Sequence, residues 1–232
     1  DNSEQLFDIL DKEQSNLFKV GVDFYLNDNN TISIFTNQNL FEGGTNGLTS
    51  VLYYDDPFFN QEQLFRAVSD NRSSQYNFDY KLDFDKEGHN IELEADYNTF
   101  NDDQDIDFDF TGNSFLENYE DASDRNRDRL TVNLDYVNPL NETTKLELGV
   151  QALLFDTNID YNSTGTSLNS QGALVPSPST DFQYKRDIYS AYATYGKSFE
   201  KWSVQLGARL EQVDVKADTN TVRAFTNDYV QV

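Results

Sequence analysis

The chain of 232 residues has no cysteine, no methionine, one tryptophan, one histidine and four prolines. Without cysteine there are no thiol nucleophiles, thiolate zinc sites or disulfides. The lone histidine, His89, has no second imidazole to share a transition metal, and it directly follows a turn at 85–88, so it reads as a turn-flanking residue. No GxSxG elbow, phosphate-gripping loop or HExxH pattern occurs, so no enzyme reading, catalytic residue, cofactor or metal site has positive support. No run approaches the ~18 apolar residues of a membrane helix, which excludes helical spanning and leaves strands open. Positive charge is also scarce: 17 Lys and Arg against 41 Asp and Glu give a net charge of -24, which repels phosphate and argues against nucleic acid as a partner. Asp1 is preceded by no basic and apolar leader, so either a signal peptide has been removed or the sequence starts inside a longer protein, and the absence of methionine favours the second.

A mean hydropathy of -0.71 would suit a poorly folded acidic chain, but 18 Phe and 14 Tyr would not, because disordered acidic chains are poor in aromatics. The aromatic and aliphatic residues recur at every second position. Tyr76, Phe78, Tyr80, Leu82 and Phe84 alternate with Asn77, Asp79, Lys81 and Asp83, so one face is apolar and the other polar. The same period runs through Phe18 to Leu26, Ile91 to Tyr97, Leu130 to Tyr136, Leu146 to Leu154, Tyr189 to Tyr195 and Trp202 to Leu210. These runs match the ~9 to 11 residues of a tilted membrane strand better than the ~5 to 6 of a globular one. Tyr76, Tyr97, Tyr136, Tyr161, Tyr189 and Trp202 stand near strand ends, where an amphipathic ring sits at headgroup level.

The connections alternate as well. Short turns at 27–30, 85–88, 138–142 and 198–201 are interleaved with long polar segments at 39–71, 102–126 and 158–181, and another begins at 219. A soluble β-sandwich would share the period but has no reason to segregate short from long connections. The pattern predicts an all-β chain: an antiparallel, up-and-down transmembrane β-barrel segment of about eight long strands, with short periplasmic turns and long extracellular loops. The whole of 1–232 reads as part of one outer-membrane barrel domain facing outer-membrane lipid, with hairpins at roughly 17–41, 72–103, 127–161 and 181–217.

The hairpins themselves carry a family likeness. The segments 18–31 (FKVGVDFYLNDNNT), 77–98 (NFDYKLDFDKEGHNIELEADYN), 130–149 (LTVNLDYVNPLNETTKLELG) and 188–211 (IYSAYATYGKSFEKWSVQLGARLE) resemble the barrel repeats of TonB-dependent receptors of the Bacteroidetes type, the outer-membrane β-barrel family. The resemblance implies a large barrel of the 22-strand kind, an N-terminal plug in its lumen, and a periplasmic segment that engages the TonB complex. Plug and remaining strands are expected to lie outside this sequence. It further implies nutrient uptake, with a surface lipoprotein as partner in some relatives; the alternative is a structural or assembly barrel that presents loops to a partner and transports nothing.

Three stretches could carry chemistry. Asp105, Asp107 and Asp109 open with calcium-loop spacing, but Phe110 stands where the turn needs glycine and Leu116 where the closing Glu belongs, so a solvated strand end is the better reading. Pro176 and Pro178 in 172–180 (GALVPSPST) mark a loop without regular structure. The segment 41–60 is the most contact-prone, and Tyr53, Tyr54, Phe58 and Phe59 are the candidates for meeting a ligand or partner.

Overall fold

The structure, a computed structural model, describes residues 2–114, 117–220 and 225–231. Nine strands form one sheet: β1 (Ser3–Asn27), β2 (Asn30–Tyr53), β3 (Gln61–Asp83), β4 (Asn90–Gly112), β5 (Tyr119–Asn141), β6 (Thr144–Ser163), β9 (Thr180–Ser198), β10 (Ser203–Thr219) and β11 (Phe225–Gln231). Two short strands, β7 (Thr166–Leu168) and β8 (Leu174–Pro176), pair with each other in the β6–β9 connection. Every neighbour in the main sheet is antiparallel and next in order, so the connectivity is up-and-down. β1 and β11 are its two edges.

Burial is inverted relative to a soluble domain. Among the described residues Val213 is the one buried hydrophobic side chain, whereas the buried polar ones are Ser74, Thr144, Thr157 and Ser190. On β3 the apolar Tyr76 and Phe78 are exposed and the polar Asn77 and Asp79 are half-buried. A sandwich would bury the apolar face in a dry core, so a soluble β-sandwich is ruled out by geometry as well as by pattern. A sheet that exposes alternate apolar rows and crowds its polar side chains together on the other face is a barrel wall with lipid outside and an aqueous lumen.

Directly paired residues share a face, so the registers carry the outward face from strand to strand. Val22, Ile34, Phe78, Ala95, Val132 and Ala152 form one outward row, continued by Tyr189 on β9. From Tyr76 to Phe84 the band measures about 26 Å along the chain, comparable with the lipid-facing belt of such barrels. Aromatic residues mark both borders. At one, Tyr76 and Tyr97 stack with ring centroids 6.3 Å apart; at the other, Phe199 stacks on Trp202 at 3.9 Å and Phe84 on His89 at 4.1 Å. His89 is indeed turn-flanking, and its Nε2 is 3.0 Å from the Tyr136 hydroxyl.

The strands continue well beyond this band. β3 has 23 residues, about 75 Å of extended chain, so much of the polar segments 39–71, 102–126 and 158–181 is strand rather than loop. The reason is that above the bilayer neither face has to be apolar: alternation fades while the backbone ladder goes on. The same holds at 3–16 in β1 and at 225–228 in β11, both of which look loop-like in sequence. The connection with Pro176 is also more regular than expected. Pro176 ends β8 opposite Thr166, in a two-stranded ribbon where its missing N–H can face solvent.

Candidate functional site on the luminal wall and rim

At membrane depth the luminal face is a lateral hydrogen-bond chain. On β10, Arg209 Nη2 donates to Gln151 Oε1 of β6 and to Ser190 Oγ of β9, both at 2.8 Å, and its Nε meets Glu211 Oε1 at 2.6 Å. Gln151 Nε2 donates to Asn133 Oδ1 at 2.7 Å on β5, whose Nδ2 reaches Glu94 Oε2 on β4 at 3.3 Å. Polar groups are thus satisfied sideways, strand to strand, as a wall next to a lipid phase requires. One row nearer the turns, Tyr192 reaches over Gly149 to donate to Asp135 Oδ1 at 2.5 Å. A Cβ on Gly149 would lie 2.2 Å from the Tyr192 ring, so only glycine permits that bond. The same device recurs higher up, where the Phe65 ring lies over Gly47.

Above this belt the luminal face becomes cationic and aromatic. Arg125, Arg127 and Arg129 alternate along β5 and share the inward face. Arg127 lies over Phe100 at 5.6 Å and Phe155 at 6.0 Å, and Arg186 over Phe155 at 5.8 Å. Arg125 is 4.0 Å from Asp102. The triplet at 125, 127 and 129 is legible in the sequence as alternate arginines; its company of Phe155 and Arg186 depends on pairing across β6 and β9 and was not.

The outward face at the same height is acidic. Glu42, Asp70, Asp103, Asp124, Asp160 and Asp181 occupy one cross-strand row, one per strand from β2 to β9, and all are exposed. Asp103, Asp105, Asp107 and Asp109 point outward along β4, successive carboxylates about 6.6 Å apart on the backbone, which is a solvated strand end.

At the rim the β2–β3 connection folds into a 3-10 turn at Pro57–Phe59, capped by Asp56, whose side chain accepts from the Phe58 N–H at 3.2 Å. Three of the four sequence-predicted contact residues come together there: Phe59 meets Tyr53 at 6.3 Å and Phe58 at 5.5 Å, both edge to face. A hollow of about 410 Å³ is lined by Tyr53, Phe59, Asp55 and Asp56 among others. Tyr54 turns the other way and hydrogen-bonds Glu4, which raises its phenol above the ordinary value through that bond first and burial second. Another hollow, of about 520 Å³, lies mainly on the outward apolar face over Ala152 and Ala191.

The class these features define is an outer-membrane β-barrel wall. The model of the outer membrane protein β-barrel family matches residues 82–232, and the chain belongs to that family. It is therefore a protein of the bacterial outer membrane, and its short-turn end is the periplasmic one. The fold is similar to that of the ferric citrate transporter FecA in its unliganded form, with a TM-score of 0.50 at 11% identity over 94% of this chain and 40% of that one. Looser similarity extends to the copper transporter OprC (TM-score 0.46, 15% identity, 99% of this chain and 41% of that one). BauA, the ferric preacinetobactin receptor from Acinetobacter baumannii, gives a TM-score of 0.45 at 12% identity over 97% of this chain and 43% of that one. The chain spans less than half the length of each of these proteins. No curated protein matches its sequence.

Proposed function

We propose that this sheet is part of the barrel of a TonB-dependent outer-membrane receptor that takes up a nutrient, with a plug and further strands completing it. The observation that carries the proposal is the pair of open edges. β1 along 18–26, and β10 along 203–210 below the end of β11, each leave a row of backbone groups unpaired at membrane depth, which lipid does not tolerate, and we read these edges as covered by further strands. A wall whose polar face is this wide, joined to more strands, encloses a lumen too large to be filled by its own side chains, which is the situation a plug resolves. The fold shared with the ferric citrate transporter supports the same reading. Tyr53, Tyr54, Phe58 and Phe59 would then be among the first residues a ligand, or a capping surface lipoprotein, meets.

The test is the intact mass of the natively expressed protein, extracted from outer membranes in detergent and traced by the peptide 130–145, together with capture on the purified C-terminal domain of TonB. A mass several times 26.7 kDa with TonB capture is expected. A mass near 26.7 kDa, or a large protein that ignores TonB, would replace uptake with a barrel that only presents loops.

A further inference from the structure

On the luminal wall above the membrane-depth belt, Arg127, Arg129 and Arg186 form no ion pair with any described residue. They lie close together on one face, with no carboxylate paired to any of the three. Arg129 pairs in register with Phe155, and Phe155 with Arg186, so the three residues form one inward row across β5, β6 and β9. Arg127 lies over the Phe100 and Phe155 rings and Arg186 over the Phe155 ring. A guanidinium carries a planar fork of N–H donors that fits a carboxylate. The Nε of Arg186 is buried with no acceptor among the described residues, so this donor is unmet. Arg129 and Arg186 are two strands apart, about 10 Å between backbones, a separation their long side chains close on a ligand of a few ångströms.

We propose that this strip binds a small ligand carrying several carboxylates on its way through the lumen. The proposal rests on the lumen being an uptake path and specifies what travels there. The wall below it fits such a station, because Asp79, Glu92, Glu94, Asp96 and Asp135 line the same face nearer the periplasm and repel an anion. A polyanion is thus held high in the lumen rather than passing down the wall. The rigid probe benzene-1,3,5-tricarboxylate matches both the charge and the aromatic faces, and its neutral triamide keeps the shape without the charge.

The experiment is calorimetric titration of the full-length protein in detergent with both probes. The tricarboxylate should bind and the triamide should not. Arg129→Gln with Arg186→Gln should weaken binding by roughly tenfold or more, as should ~1 M salt, while the outward-facing pair Arg66→Gln with Arg72→Gln leaves it unchanged. Equal binding by the luminal variant and wild type, or no binding to wild type up to about 10 mM, overturns the proposal. So does a luminal variant that no longer folds by heat-dependent gel mobility if Arg129→Lys, which keeps the charge, folds and binds the probe no more weakly at low salt. TonB capture is independent of this result: capture without probe binding removes only the ligand class, and probe binding without capture removes uptake.

Discussion

The lower and upper halves of the same strands have the same backbone and opposite outward faces. Toward the periplasmic turns β3 shows lipid Tyr76, Phe78 and Tyr80; higher up, the same strand shows water Arg66, Asp70 and Arg72. The hydrogen-bond ladder continues across the change without a break in register. Solvent, not secondary structure, therefore writes the side-chain pattern of this sheet. The inward face changes at a similar height, from an acidic, laterally hydrogen-bonded belt to a cationic and aromatic strip, so both sides of the wall respond to depth.

Four tests by substitution bear on that contrast, from the largest expected effect to the smallest. Val132→Arg places a charge at mid-band on the lipid face and should cost about 2–4 kcal/mol in unfolding from lipid vesicles, whereas Val68→Arg on the upper outward face of β3 should stay within about 0.5 kcal/mol. Equal costs would mean that the band is misplaced. Gly149→Val drives a side chain into the Tyr192 ring and should cost about 1–3 kcal/mol by urea titration, while Gly196→Val, with open space beside it, should be nearly silent. If both are silent, the Tyr192 to Asp135 bond does not depend on that glycine.

Asp103 stands directly between Asp70 and Asp124 in the acidic row. Like charges opposite one another are unfavourable, so Asp103→Lys should stabilise the upper sheet by about 0.2–1 kcal/mol at low ionic strength, and the gain should vanish in high salt. A salt-independent change would point to packing instead. The smallest effect concerns Tyr54. Its folded pKa lies above the ordinary 10.0, so the contribution of its hydrogen bond is present below that value and is lost as pH rises through the raised one. Glu4→Gln should move the Tyr54 titration down toward the ordinary value in ultraviolet difference spectra, and an unchanged curve would exclude Glu4 as the main cause.

How much of this was legible beforehand follows the same division by depth. The hairpins, their turns and the lipid-facing rows could be read from Tyr76 to Phe84 or from Leu130 to Tyr136, because the bilayer demands strict period-two alternation. The rim aromatics were legible as types, but only the turn at Pro57–Phe59 brought Tyr53 to Phe59 and sent Tyr54 to Glu4. The upper part of β11 at 225–228 and the length of β1 were hidden because water on both sides leaves no pattern to read.

The sequence by itself determined the all-β class, the two unlike faces and the alternate arginines of β5, since each depends on neighbours two residues apart. Tertiary structure alone decided the register: which carboxylates line up from Glu42 to Asp181, which ring lies between Arg129 and Arg186, and which glycine sits under Tyr192. Those pairings join residues tens of positions apart, and they are set by the summed hydrogen bonding of whole strands, which no local period records.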